Sequence, residues 1–136
     1  MTWSRVALGA AAVLVAIQFV PVRRENPPVV ATVPAPPEVM AVLRRACFDC
    51  HSRETAWPLQ AYVAPFSWLV AHDVKEGREE LDFSAWNAGA AGKARKNLPK
   101  EVETGDMPPF LYVLAHPGSR LDARERVLLA AWARGL

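Results

Sequence analysis

Cys47, Cys50 and His51 stand in the run Cys-Phe-Asp-Cys-His, the one place where residue types and spacing in this chain carry specific chemistry. The C-x-x-C-H arrangement sets two thiols about one helical turn apart and follows them with an imidazole. In that pattern both sulfurs add to the vinyl groups of one haem and the histidine ligates its iron. The reading is one covalently attached haem c with His51 as the proximal ligand. Two alternatives use the same residues. A thioredoxin-like redox pair wants a βαβ context, and no segment here alternates with the period of a strand. A zinc site needs a fourth ligand, and the adjacent Cys50 and His51 chelate one tetrahedral ion poorly.

The other face of the iron needs its own ligand or stays open. Met107 offers a soft thioether in the run Gly105-Asp106-Met107-Pro108-Pro109, whose glycine and prolines restrict the loop that presents it. It lies 56 residues beyond His51, enough chain for two or three helices to wrap a haem and return. His72 and His116 are rival ligands, whereas Met40, on the helix before Cys47, reads as core filler. A Met ligand suits single-electron transfer, so a carrier is expected rather than an enzyme. An open distal site would make a haem-based sensor or a peroxidase-like enzyme instead.

These residues must be positioned by helices. Val39, Val42, Leu43 and Ala46 share one face of a helix that begins near Pro37 and delivers Cys47. A second helix is expected from Pro65 to about Glu76, with Phe66, Leu69, Val70 and Val74 on one face and Gly77 as its stop. The stretch from Leu81 to Gly92 reads as irregular, and Pro99 to Thr104 as a short helix ended by Gly105. Asp122 and Glu125 have capping-box spacing, and Val127, Leu128, Ala131 and Trp132 follow as an apolar stripe. The expected fold is all-α, a small cytochrome-c-like domain around one haem, with its first and last helices packed together.

Residues 1–26 read as an N-terminal membrane anchor, 27–37 as a Pro-rich linker and 38–136 as the haem domain. From Val6 to Val22 the chain runs 17 residues without a charge, the lower length limit for a membrane-crossing helix, with a cleaved signal peptide as the competing reading. The linker has five prolines and no charge, which predicts an extended spacer. The domain is then expected outside the cytoplasm, on the periplasmic side of a bacterial inner membrane. From Pro27 onward 13 Lys and Arg face 13 Asp and Glu, since Arg5, Arg23, Arg24 and Glu25 all come earlier. Such a balance gives no sign of nucleic-acid binding.

Trp57, Trp68, Trp86, Phe66 and Tyr112 are candidates for the haem wall, and Arg44, Arg45 and Arg53 for partners of the propionates. Lys93, Arg95, Lys96 and Lys100 suggest a docking patch for a redox protein, with Glu76, Glu79, Glu80 and Asp82 as an acidic counterpart.

The runs CFDCHSRETAWP, VAPFSWLVAHDVKEGREELDFSAW and ETGDMPPFLYVLAHPGSRL together resemble the bacterial haem-binding domain family of short, membrane-anchored, cytochrome-c-like proteins. The resemblance covers about residues 36–134. It implies haem c held through Cys47, Cys50 and His51, with Met107 of the G-x-M-P-P element facing the iron. Where such proteins often carry Trp-Pro-Trp-Tyr, this chain has Trp57-Pro58-Leu59-Gln60.

Overall fold

The computed structural model describes residues 3–136. Its helices are α1 (Trp3–Ala16), α2 (Pro37–Ala46), α3 (Phe48–His51), α4 (Phe66–Glu80), α5 (Ala88–Thr104), α6 (Phe110–Ala115) and α7 (Ala123–Arg134). Among the described residues the extended pairing is limited to one isolated bridge between Ala31 and Ala85, so the all-α expectation holds.

Helix α2 forms as its pattern predicts, with Pro37 in its first turn and Val39, Val42, Leu43 and Ala46 buried. At α7 the capping box is complete: the Asp122 carboxylate accepts from the Glu125 N–H at 2.8 Å, and the Glu125 carboxylate accepts from the Asp122 N–H at 3.0 Å. Helix α7 touches α2, where Arg45 pairs with Glu125, but packs chiefly on α5. Of the expected stripe, Leu128 and Trp132 pack partly buried against the core while Val127 and Ala131 face outward, a correction; the fully buried residues of α7 are Leu129, Ala130 and Ala133. Small side chains at two of those three positions let α5 come close.

Two other helices differ from their sequence reading. Helix α4 runs three residues past Gly77 and buries Ser67, Val74 and Gly77, leaving Phe66 and Leu69 exposed. Helix α5 starts at Ala88, where the Asn87 side chain accepts from the Ala90 N–H at 3.0 Å, and it continues through Pro99. The Ala-rich stretch before Pro99 has enough helix propensity to extend the element upstream. It ends where expected, at Gly105, whose φ of 86° is left-handed.

At the N-terminus the uncharged run does not form one long helix. Helix α1 has 14 residues and gives way to a 3-10 turn at Ile17–Phe19. At 1.5 Å per residue that is about 21 Å, against a hydrocarbon core of about 30 Å. No helix among the described residues is long and apolar enough to cross a membrane. Two causes act at its end. Pro21 forces Val20 out of helical geometry, and the Gln18 side chain donates to the Ala64 carbonyl at 3.1 Å while accepting from the Ala64 N–H at 2.9 Å.

The Pro-rich segment is extended but bonded to the domain. Val30 and Ala31 donate to the Ser84 carbonyl at 2.9 and 3.1 Å, Val33 donates to that of Phe83 at 2.9 Å, and Trp86 donates to that of Ala31 at 2.9 Å. Val33 is buried in the core beside Phe83. A free spacer would leave Val33 in water and the backbone of Phe83 to Trp86 short of partners, so the segment lies down as a strap.

Candidate functional site

A cavity of about 550 Å³ opens between α3, α4, α5 and the loop leading into α6. Cys47, Cys50 and His51 line it, and so do Met107, Pro108, Pro109 and Tyr112. Its size is that of a small-molecule or cofactor pocket. Leu81, Phe83, Leu98, Val102 and Leu121 supply apolar wall, while Asp73, Glu76, Glu80 and Glu101 make an acidic margin that also holds Lys93.

The motif is shaped by a break between helices. Cys47 leaves helical geometry at the end of α2, and α3 restarts as a single turn in which the His51 N–H donates to the Cys47 carbonyl at 2.9 Å. The His51 ring Nδ1 lies 3.0 Å from the Leu81 carbonyl, a position that only an Nδ1–H donor satisfies. That leaves Nε2 unprotonated on a side chain lining the cavity, the arrangement of an imidazole prepared to ligate a metal. Burial lowers the His51 pKa and keeps the ring neutral, against the opposing pull of backbone hydrogen bonds. Phe83 meets the ring edge-on, with centroids 6.1 Å apart.

Both thiols are free. Burial, the largest cause in each case, pushes Cys47 up to about 12 and Cys50 up to about 11. Both are therefore neutral thiols near pH 7, whereas a redox pair depends on a stabilised thiolate. Among the described residues no three His, Cys, Asp or Glu side chains gather to hold a metal ion. The donor set as it stands, two thiols, one oriented imidazole and one thioether around an apolar-walled cavity, fits a haem.

Several contacts escaped the sequence reading. Gly77 of α4 lies against the backbone of Cys50, closer than any residue with a Cβ allows. Asp49, between the two cysteines, accepts a hydrogen bond from the Tyr112 hydroxyl at 2.7 Å. Arg78 donates to the Ser52 carbonyl at 2.7 Å, to Thr55 Oγ1 at 2.9 Å and to the Glu25 carbonyl at 2.8 Å, joining the segment after the motif to the chain just before the strap. No residue-type signal marks these positions, because each owes its role to a partner distant in sequence.

Of the rival ligands, His72 lines the cavity and His116 does not; His116 stacks on Tyr112 with ring centroids 4.6 Å apart. Met40 packs against the core, as expected. None of the three arginines expected near the propionates lines the cavity. Arg44 pairs with Glu54, Arg45 with Glu125 and Arg53 with Asp82. Of the five candidate wall aromatics only Tyr112 reaches the cavity, while Trp86 stacks between Phe83 and Trp132 in the core. Among Lys93, Arg95, Lys96 and Lys100, only Lys93 reaches it.

The family model described as haem-binding domain matches residues 12–135. No curated protein and no solved structure matches the chain.

Proposed function

The chain belongs to the haem-binding domain family, and from that premise we propose that it is a mono-haem c-type cytochrome that transfers single electrons and is not an enzyme. The observation carrying this reading is that one cavity gathers Cys47, Cys50, His51 and Met107 from segments far apart in the chain. Cys47 and Cys50 would hold the porphyrin through thioether bonds, and His51 Nε2 and the Met107 sulfur would ligate its iron. When bound, the haem supplies a one-electron iron couple whose potential a Met ligand raises. The Leu81 carbonyl orients His51, the apolar wall excludes water, and Gly105, Pro108 and Pro109 restrict the loop bearing Met107.

A second reading leaves the distal position open for a gas or a peroxide. Met107 is 36% exposed at the cavity margin, and His72 stands on the same cavity; both observations favour testing it. We further propose that the domain works outside the cytoplasm, in contact with a membrane through the exposed apolar residues of α1 and with a redox protein at the cavity margin. Optical and resonance spectra of the haem-loaded protein in both oxidation states test the main reading. Low-spin iron with a sulfur ligand and no rapid carbon monoxide binding is expected. High-spin ferrous iron that binds carbon monoxide at once would favour the second reading.

A further inference from the structure

Away from the haem cavity, the stretch from Leu59 to Leu69 leaves a run of apolar side chains exposed. Leu59 is 80% exposed and Phe66 59%, and Tyr62, Val63 and Leu69 are exposed beside them. From Ala56 to Ala71 the sequence holds no charged residue, although the stretch belongs to the folded domain and much of it faces outward. An apolar patch of this kind on a small domain marks a contact surface.

The N-terminal segment ends against this surface. Gln18 holds Ala64 through the pair of hydrogen bonds described above, and Arg24 donates to the Ala61 carbonyl at 3.1 Å. The Arg24 guanidinium also lies over the Tyr62 ring, 4.6 Å from its centroid. Phe19 and Val20, both exposed, carry the apolar surface of α1 up to the patch.

We propose that residues Leu59 to Leu69, with Phe19, form a lipid-facing patch that seats the haem domain on a bilayer in one orientation. The inference rests on the membrane contact of α1 proposed above and adds a second contact made by the domain itself. A lipid surface fits better than a charged protein, because the stretch offers no charge to pair. Tyr62 with an arginine over its ring suits the headgroup layer, where an apolar body and a polar end are both satisfied, and exposed Arg23 beside it favours anionic lipid. On α4 the first cavity-lining residue, His72, lies three positions beyond Leu69, so the patch ends about 4.5 Å along the helix from the cavity wall.

Hydrogen exchange of the full chain, with and without vesicles of phosphatidylcholine and phosphatidylglycerol, tests this. Slowed exchange in residues 59–69 together with residues 3–20 is the expected result. Slowing confined to residues 3–20 would overturn the patch and leave the α1 contact standing. No slowing in either region would overturn both. Slowing in 59–69 that needs no vesicles and rises with protein concentration would assign the patch to a second copy of the chain. The double substitution Leu59→Ser and Phe66→Ser, at two exposed positions, should weaken vesicle partitioning roughly tenfold while leaving helical circular dichroism unchanged. Unchanged partitioning would also overturn the proposal.

Discussion

Gly77 lies so close to Cys50 that a Cβ at that position would stand 2.6 Å from the Cys50 carbonyl oxygen and 3.1 Å from the Cys50 Cβ. This approach lets α4 pass over the cysteine turn and become a wall of the cavity. In an open helix interior, replacing glycine by alanine gains about 1 kcal/mol of helix propensity. Here the added carbon meets backbone that cannot swing away, and such overpacking costs about 1–3 kcal/mol. Gly77→Ala should therefore destabilise the fold despite the better helix former. Gly92→Ala in α5, with open space around it, should be neutral or stabilising by up to about 1 kcal/mol. The denaturant midpoint should fall for Gly77→Ala and hold or rise for Gly92→Ala, and a stabilised Gly77→Ala would contradict the account of the crossing.

Tyr112 and Asp49 connect the cysteine turn to the helix that follows Met107. Asp49 also accepts from the Ala56 N–H at 3.1 Å, so one carboxylate serves both sides of the turn. Burial raises the Tyr112 pKa above the usual phenol range, followed by its hydrogen bond to Asp49, which keeps the hydroxyl a donor. Tyr112→Phe removes that donor and keeps the ring that stacks on His116. A loss of about 1–3 kcal/mol is expected, with faster hydrogen exchange in residues 107–115. Unchanged exchange there would show that the loop is held without this bond.

The parts of this fold legible in the sequence are those fixed by local rules. Pro37 and the face from Val39 to Ala46 announce α2, Gly105 announces the end of α5, and Asp122 with Glu125 announces α7. What escaped depends on partners distant in sequence. Gly77 reads as a helix stop until Cys50 is placed against it, and Val33 reads as part of a spacer until Phe83 gives it a core to join. Arg53 looks free to hold a propionate until Asp82 takes it at 2.9 Å. The same division runs through the site: C-x-x-C-H and G-x-M-P-P are local patterns, whereas the Leu81 carbonyl that orients His51 belongs to an irregular loop with no sequence mark.

The capping box at the start of α7 supplies a separate test of a locally encoded feature. Asp122→Ala removes the acceptor for the Glu125 N–H at a terminus whose helix carries Leu129 and Ala130 into the core. The expected cost is about 1 kcal/mol, read from denaturant unfolding. Asp122→Asn should lose much less, because the amide oxygen still accepts.

Covalent attachment of haem should need both thiols, since each is assigned one thioether bond. Cys47→Ala and Cys50→Ala should each abolish or greatly weaken haem staining on denaturing gels. Covalent haem that survives in the double variant would end the c-type reading while leaving membership of the haem-binding family untouched.

Met107 separates an electron carrier from an enzyme, so its substitution is the most informative. If its sulfur closes the distal face, Met107→Ala should open a site to carbon monoxide or cyanide and lower the reduction potential, because the thioether favours ferrous iron. Met40→Ala, in the core away from the cavity lining, should do neither. His116→Ala should also leave the spectrum unchanged, because that ring stacks on Tyr112 and does not line the cavity. His72 does line it, and it is the residue to which the role passes if the low-spin signal persists in Met107→Ala and disappears in His72→Ala. A native protein that already binds carbon monoxide rapidly would leave Met107 without a ligand's role, and the restricted loop from Gly105 to Pro109 would then serve to shape the entrance through which a small ligand reaches the iron.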